Sequence, residues 1–270
     1  MILLSLSWSI ALSNLCLFFS ARPIDENNLN GTLPDELALL TELQDLDFDD
    51  NRELRGSIPA TLGTLASLES LDLDMNKFTG SIPEELYDAT TIQNLDLDTN
   101  MLTGTISPQI ENLQSLQLLL LDKNFISGSI PDELGSIPML RFLTLDTNEM
   151  EGSIPQTFEN LEQLRVFTLH NNPAITGTLP EFFGDLEEME LLSLFNTGLE
   201  GTIPSSLGQL SGARNIFLHN TNFTGTMPEE ICNLRNIRGE GRRLRQLTAD
   251  CAGSNPKVVC PQPSCCTACF

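Results

Sequence analysis

The chain has 270 residues, of which 40% are hydrophobic and 19% charged, so it can bury a large core and is not a disordered chain. It contains 14 Lys and Arg against 37 Asp and Glu, which gives a formal net charge of −23 at pH 7. This acidity excludes a nucleic-acid-binding protein, because such a surface repels the phosphate backbone.

Residues 1–21 form an uncharged, largely apolar stretch. Its length and position are typical of a secretory signal peptide, and it also approaches the roughly 20 residues that a signal anchor needs to span a bilayer. Both interpretations place the rest of the chain outside the cytoplasm, either secreted or at the cell surface. Membrane attachment is expected only through this segment, if it is not cleaved, because no second apolar run follows it.

From residue 22 to residue 231 the sequence repeats about nine times, with a period of 24 or 25 residues. A landmark of Gly, then Ser or Thr, then Pro two residues later recurs in the copies, and Gly104 differs only in having Ser107 inserted before the proline. The landmark glycines are Gly31, Gly56, Gly80, Gly104, Gly128, Gly152, Gly177, Gly201 and Gly225. A fixed period of this length indicates a stacked repeat architecture.

The physical role of each position is visible in the copy from Leu68 to Gly80. Leu71 and Leu73 alternate with period two, which predicts a short strand with both leucines pointing inward. Asn76 follows at a turn, where its amide can satisfy buried backbone groups. Pro83, followed by two glutamates, is typical of the first turn of a helix. One copy cannot bury its own apolar face, so the copies must stack.

This pattern resembles the plant-type leucine-rich repeat, L-x-x-L-x-L-x-x-N-x-L-x-G-x-I-P, over about residues 25–231. The resemblance implies an α/β repeat fold: a right-handed solenoid with a concave parallel β-sheet and short helical or 3-10 turns on the convex side. The family occurs in receptor-kinase ectodomains and in polygalacturonase-inhibiting proteins. Its usual N-terminal cysteine cap has no counterpart in residues 22–27.

Residues 232–270 look like the C-terminal cap of leucine-rich repeat proteins from diatoms and related algae. Six of the seven cysteines lie in this segment: Cys232, Cys251, Cys260, Cys265, Cys266 and Cys269. We expect three disulfides here in preference to a zinc site, because no histidine is nearby and the context is oxidising. Fifteen pairings are open, and a bond between the adjacent Cys265 and Cys266 is disfavoured by its strained geometry. The predicted domains are therefore 1–21, 22–231 and 232–270.

The side chains that flank the inward leucines are predicted to face out from the concave sheet. In the first half of the array they form an acidic face: Asp45, Asp47, Asp49, Asp72, Asp74, Asp96, Asp98, Asp122 and Asp146. Like charges on neighbouring strands do not stabilise a sheet. Three interpretations stay open, namely a solvated acidic surface, capture of a basic partner, and binding of divalent cations such as Ca²⁺.

In the second half the same outward positions are apolar or aromatic and include both histidines. These residues are Leu118, Leu120, Phe142, Val166, His170, Leu191, Phe195, Phe217 and His219. A contiguous exposed apolar patch usually marks a contact surface, so we predict a ligand-binding site here. The alternatives are that leucines simply spread into variable positions or that the C-terminal tail covers them. The histidines lie two repeats apart, too far for one metal ion, and are expected to be surface residues. No metal site and no cofactor are predicted.

Asn30 and Asn222 each begin an N-x-Thr sequon, which is consistent with a glycosylated extracellular protein.

The sequence contains no Walker loop, no G-x-S-x-G elbow, no H-E-x-x-H and none of the kinase motifs. The leading hypothesis is therefore a non-catalytic extracellular or cell-surface recognition module that binds a protein or peptide on its concave face. The first alternative, implied by the resemblance, is an inhibitor of a secreted cell-wall-degrading glycosidase. The second is an acidic, cation-binding structural protein of the surface. Fold analogy alone does not choose among these functions.

Overall fold

Short parallel strands stack into a ten-stranded sheet in the computed structural model, which describes residues 29–236, 244–253, 256–261 and 265–270. The predicted leader or anchor, 1–21, lies outside the described residues. The ten strands are Asp45–Asp47, Ser70–Asp72, Asn94–Asp96, Leu118–Leu120, Phe142–Thr144, Val166–Thr168, Leu191–Ser193, Asn215–Phe217, Gln246–Ala249 and Ala268–Cys269.

The central residue of these strands points into the core, as period-two alternation predicts. Leu71, Leu95 and Leu119 are fully buried, and they pair in register with one another from strand to strand. Because each strand repeats the register of its neighbour, residues at one repeat position line up in columns across the sheet. The sheet itself therefore builds both the core and the outward surface.

A second set of short strands runs beside the ten-stranded sheet, in three separate groups. They are Asn30–Gly31, Glu53–Gly56, Lys77–Gly80 and Met101–Leu102; Ser127–Ser129, Glu149–Gly152 and Ala174–Ile175; Glu200–Thr202, Asn222–Thr226 and Val258–Val259. Both sequon asparagines, Asn30 and Asn222, are exposed on these lateral strands and not on the ten-stranded sheet. A glycan at either site would leave the ten-stranded sheet open.

Single 3-10 turns form the side opposite the strands, as the repeat pattern predicted. They are Asp35–Leu39, Ala60–Thr64, Glu84–Asp88, Pro108–Asn112, Asp132–Ser136, Gln156–Asn160, Glu181–Asp185 and Ser205–Gln209. Pro83 directly precedes its turn in an extended conformation. Adjacent turns pack closely: a Cβ at Gly63 would collide with the carbonyl oxygen of Glu85 in the next repeat. The eight-residue segment Glu229–Asn236 is α-helical instead.

One continuous hydrophobic core runs from Leu33 to Cys265 and is built mainly from Leu and Ile. In the middle of the array larger rings replace leucine, and Phe167 packs edge-on against Phe158 and parallel to Phe183, with ring centroids 5.7 Å and 5.9 Å away. Such pairs add to the stabilisation that burial provides. Among the residues that the model describes, no helix has the length and apolar character needed to cross a membrane.

The C-terminal segment is tied down by three disulfides, Cys232–Cys265, Cys251–Cys269 and Cys260–Cys266. The segment also adds the last two strands to the ten-stranded sheet, which the sequence did not lead us to expect. The Arg235 guanidinium in the α-helix donates a hydrogen bond to the Cys265 carbonyl oxygen at 2.8 Å. The end of the solenoid is thus covered by its own chain, as stacked repeats require.

Candidate functional site

The outward surface of the ten-stranded sheet, called here the sheet face, displays the residues that the sequence singled out. Strand register aligns them: Asp72 lies beside Asp96, Phe142 beside Val166, and Ser193 beside Phe217. Neighbouring strands are about 4.8 Å apart, so side chains in one column are in contact range. The acidic and apolar groups predicted from sequence are therefore two parts of a single surface.

The acidic part is less solvated than a simple charged surface. Asp72, Asp74, Asp96 and Asp98 are half-buried, and Asp45 is exposed. The aspartate that ends each of two strands accepts a hydrogen bond from the backbone two residues later. Asp72 Oδ1 accepts the N–H of Asp74 at 3.2 Å, and Asp96 Oδ1 accepts the N–H of Asp98 at 3.1 Å. One oxygen of each of these groups is thus committed to the turn, and the other is left for a ligand.

Burial and mutual repulsion make these carboxyl groups hard to ionise. Burial raises the pKa of Asp96 to about 8; the Asp98 N–H opposes this shift, and the charge of Asp72 adds to it. Burial likewise raises the pKa of Asp72 and of Asp74 to about 6, and raises that of Asp98. Part of the acidic face therefore holds protons at neutral pH, which the formal charge of the sequence does not reveal.

Asp72, Asp74 and Asp96 form the tightest group, since one carboxylate oxygen from each lies within 4.8 Å of the others. The Oδ1 atoms of Asp74 and Asp98 are buried and accept no hydrogen bond. Such oxygens lack the compensation that buried polar atoms usually have. A positively charged ligand, whether a divalent cation or a basic side chain, would provide it.

Stability should fall as pH rises from about 5 to about 8. The folded-state pKa values of Asp72 and Asp96 lie above the value of about 3.9 in an unfolded chain, so the folded state binds more protons across this window. Ionisation then costs free energy only in the folded state. We expect the melting temperature to be several degrees higher near pH 5 than near pH 8.

Measuring the melting temperature of the Asp72→Asn, Asp96→Asn double variant against pH isolates this effect, because Asn keeps the turn acceptor without the charge. In the variant, most of the decline of the melting temperature between about pH 5 and about pH 8 should disappear. Burial lowers the pKa of His170 and of His219, so both act in the opposite direction below about pH 6.5. They are present in both proteins and cancel in the comparison. Parallel curves for the two proteins would show that the aspartates are not the cause.

Asp122 and Asp146 differ from the other aspartates because they are only 7% and 6% exposed and because both carboxylate oxygens of each have a partner. Asp122 accepts a hydrogen bond from the Thr144 hydroxyl at 2.6 Å and pairs with Lys123 at 2.8 Å. Asp146 accepts from the Thr168 hydroxyl, and its other oxygen lies 3.1 Å from His170 Nε2. These two residues belong to the internal hydrogen bonding of the face rather than to its free acidic surface.

The histidines lie in a stack of aromatic rings. His170 and His219 pack on opposite sides of Phe195, with ring centroids 4.2 Å and 4.6 Å from it, and Phe270 stacks on His219 at 4.1 Å. Phe217 meets Phe195 edge-on at 6.4 Å. Both histidines are half-buried on the sheet face, so their rings contact other aromatic side chains and keep part of their surface exposed.

Each histidine is also held by a hydroxyl. His170 Nδ1 lies 3.2 Å from Ser193 Oγ, and His219 Nδ1 lies 2.7 Å from Thr248 Oγ1. Asp146, His170 and Ser193 thereby form a carboxylate–imidazole–hydroxyl chain like that of some hydrolases. Ser193, however, is only 3% exposed, so its hydroxyl cannot reach a substrate carbonyl. The chain fixes the orientation of the imidazole, and burial lowers the pKa of His170 against the opposing charge of Asp146.

The apolar part of the face remains accessible. Phe142 is 37% exposed, and the other apolar residues predicted for the site are half-buried: Leu118, Leu120, Val166, Leu191, Phe195 and Phe217. Within the described residues the tail reaches this surface at Thr248, which pairs with Phe217, and at Phe270, which is itself 53% exposed. These residues extend the patch and leave Phe142 exposed.

Sequence reasoning missed Phe270, Thr248 and Asp250. Asp250 accepts the backbone N–H groups of Asn220 and Thr221 at 2.6 Å and 3.0 Å, next to the repeat in which Thr221 replaces the usual asparagine. No periodic signal points to these residues, because the tail departs from the repeat. The Cys251–Cys269 bond decides where Phe270 lies, and its pairing was one of the fifteen left open.

Stacked parallel strands, a capped end and an open, chemically patterned sheet face define the class of protein, which is a solenoid of repeats. The family model described as Leucine Rich Repeat matches residues 67–89 and 115–137. No curated protein matches the sequence.

Several solved structures are similar to this chain. The plant peptide hormone receptor RGFR1, in complex with RGF2, is 31% identical with a TM-score of 0.75, over 78% of this chain and 33% of that chain. The ectodomain of the receptor kinase GASSHO1/SCHENGEN3 from Arabidopsis thaliana, in complex with CASPARIAN STRIP INTEGRITY FACTOR 2, is 30% identical with a TM-score of 0.62, over 84% and 32%. A plant ice-binding protein is 25% identical with a TM-score of 0.60, over 74% and 71%.

The chain is a leucine-rich repeat protein of the plant type, with a disulfide-bonded C-terminal cap. It spans about one third of the length of the two receptor ectodomains. Receptors and an ice-binding protein share this architecture, so the function has to be argued from the site.

Proposed function

We propose that this protein is a non-catalytic recognition module, secreted or displayed at the cell surface, that binds a protein or peptide on the sheet face. The observation that carries the proposal is the apolar patch of Phe142, Phe195 and Phe217: Phe142 is 37% exposed, and Phe195 and Phe217 are half-buried and pack edge-on. Open aromatic groups on a rigid surface are typical energetic centres of interfaces. The similar peptide hormone receptor RGFR1, in complex with RGF2, supports the same type of ligand.

The proposal includes an extracellular location and the division into a leader or anchor, a repeat array and a cap. Three disulfides near the C-terminus are typical of an oxidising compartment. The accessible positions of Asn30 and Asn222 are compatible with glycosylation there. The burial of Ser193 and of Thr248, the two hydroxyls that contact an imidazole among the described residues of the sheet face, supports binding rather than catalysis.

Replacing Phe142, Phe195 and Phe217 together by serine should abolish ligand binding, with a loss of about 100-fold or more in affinity. The experiment is affinity capture from the extracellular extract of the source organism, with the full chain as bait, followed by identification of the retained protein or peptide and titration with the purified ligand. A matched control replaces Met101, Phe125 and Met139, which are similarly exposed apolar residues outside the ten-stranded sheet.

A ligand kept by the native chain and the control and lost from the Phe variant supports the proposal. Equal retention by all three baits, or no retention, contradicts it, provided that circular dichroism shows each bait to be folded. If the retained protein is a glycosidase that loses activity on binding, the chain is the inhibitor of the alternative hypothesis and still uses this face.

A further inference from the structure

The sheet face changes from acidic to apolar within a single continuous surface. Register places Asp96 beside Leu120 and Leu120 beside Thr144, so no gap separates the two parts. The acidic part spans the strands that end at Asp47, Asp72 and Asp96, and the apolar part begins with Leu118 and continues to Phe217. A ligand that lies along the solenoid must meet both surfaces.

Three aspartates at the centre of the acidic part have no ion-pair partner among the described residues. No Lys or Arg there pairs with Asp72, Asp74 or Asp96, and Lys123 is paired with Asp122. Two of the aspartate oxygens are buried without a partner, as described above. Charge complementarity therefore favours a ligand that brings a cationic group to Asp72, Asp74 and Asp96.

The apolar part, in contrast, does not attract charge. Burial lowers the pKa of His170 and of His219, so both rings are neutral near pH 7 and act as aromatic surface. Phe195 lies between them and Phe217 stands edge-on at its side. This surface suits aromatic and aliphatic side chains.

We propose that the sheet face is a two-part site for one extended peptide, whose basic side chains lie over Asp72, Asp74 and Asp96 and whose apolar or aromatic side chains lie over Phe142, Phe195 and Phe217. The inference rests on the proposed function and specifies the chemistry of its ligand and the order of that chemistry along the solenoid. The two parts recognise different halves of the same peptide.

The dimensions of the sheet set the length of the ligand. Six strand spacings separate the strand of Asp72 from the strand of Phe217, a distance of about 29 Å. An extended chain covers this distance with about nine residues, at about 3.3 Å each. A peptide of about this length is needed to span the whole site from Asp72 to Phe217.

Binding should be linked to proton release. Burial and mutual repulsion raise the pKa of Asp96 to about 8, so it holds a proton near neutral pH when no ligand is bound, and raise the pKa of Asp72 and Asp74 to about 6, so these two take up protons in weakly acidic solution. A cationic side chain favours the ionised carboxylates, so affinity should rise with pH between about 5 and 8. Calorimetry in buffers of different ionisation enthalpy measures the protons released.

The test is selection of phage-displayed random decapeptides on the full chain produced by a secretory host. We expect the selected peptides to carry Arg and Lys in one half and Phe, Trp or Leu in the other, always in the same order. The consensus peptide with its halves exchanged should bind at least about tenfold more weakly. The Asp74→Asn, Asp96→Asn variant should lose at least about tenfold in affinity for the consensus peptide, together with most of its salt and pH dependence.

The matched control is Asp88→Asn with Glu111→Gln, which removes two exposed carboxylates from the 3-10 turn side and should bind like the native chain. Selected peptides that depend on Phe142, Phe195 and Phe217 but lack a basic half would overturn the two-part site and leave the proposed function standing. No selected peptide, or equal enrichment on all variants, would contradict both. A different outcome would overturn the inference: Ca²⁺ raises the melting temperature of the native chain but not of the Asp74→Asn, Asp96→Asn variant, and no ordered peptide is selected. The acidic part would then be assigned to cations.

Discussion

Replacing Asn124 with alanine should lower the free energy of unfolding by about 3–5 kcal/mol. The side chain is 6% exposed and makes four hydrogen bonds. Its Nδ2 donates to the carbonyl oxygens of Leu97, Leu121 and Asp122 at 2.9, 3.2 and 3.3 Å, and its Oδ1 accepts the N–H of Leu102 at 2.9 Å. Each buried group left without a partner costs about 1–3 kcal/mol, and the losses are not additive.

The chain supplies its own control for this substitution. In the repeat of Thr197 a threonine stands at the same place, and its hydroxyl donates to the carbonyl oxygen of Leu194 at 2.7 Å. Asn124→Thr keeps one of the four hydrogen bonds and should cost clearly less than Asn124→Ala. Urea denaturation at fixed pH measures both. A cost below about 1 kcal/mol for alanine would show that water or relaxed backbone replaces the amide.

Loss of the Cys232–Cys265 disulfide should destabilise the protein more than loss of either other disulfide. The bond closes a loop with a sequence separation of 33, against 18 for Cys251–Cys269 and 6 for Cys260–Cys266. Loop-closure entropy predicts losses of about 4, 3 and 2 kcal/mol for the three pairs. Cys232 and Cys265 are also buried where the α-helix meets the tail, so their loss loosens the cover of the last repeat.

Three double variants, each replacing one bonded pair with alanine, test this order by thermal and urea unfolding. Both partners are removed together so that no free thiol can exchange with the remaining bonds. The Cys260–Cys266 variant serves as the internal reference, because its loop is the shortest. Equal losses in all three variants, or the reverse order, would show that native packing and not loop closure determines the contribution of each bond.

The sequence and the structure agree best where the repeat is strictest. The column of Leu71, Leu95 and Leu119 predicted the inward positions, and each is fully buried. The asparagine column predicted the turn that satisfies buried backbone groups, as Asn124 does. These predictions succeed because one repeat cannot fold alone, so each copy must carry the same contacts to its neighbours.

Agreement is weaker where a property depends on distance between copies. The sequence placed nine aspartates on one face, but burial divides them: Asp122 and Asp146 are engaged with threonine hydroxyls, whereas Asp72 and Asp96 lack a cationic partner among the described residues. It placed the two histidines two repeats apart, and the structure fills the space between them with Phe195. The spacing of residues along the chain predicts neither how deeply a side chain is buried nor which aromatic rings touch.

By itself the sequence therefore determined the repeat, the stacked parallel sheet and the inward leucines, and it led us to expect three disulfides in the C-terminal segment. Short-range periodicity and the need to bury leucine are enough for that. Only the tertiary structure decided the pairing of the cysteines, the addition of the tail to the sheet, the place of Phe270 on His219, and the raised pKa of Asp72 and Asp96. The physical reason is that these features arise from close approach of groups distant in sequence, and desolvation and electrostatic repulsion act through space.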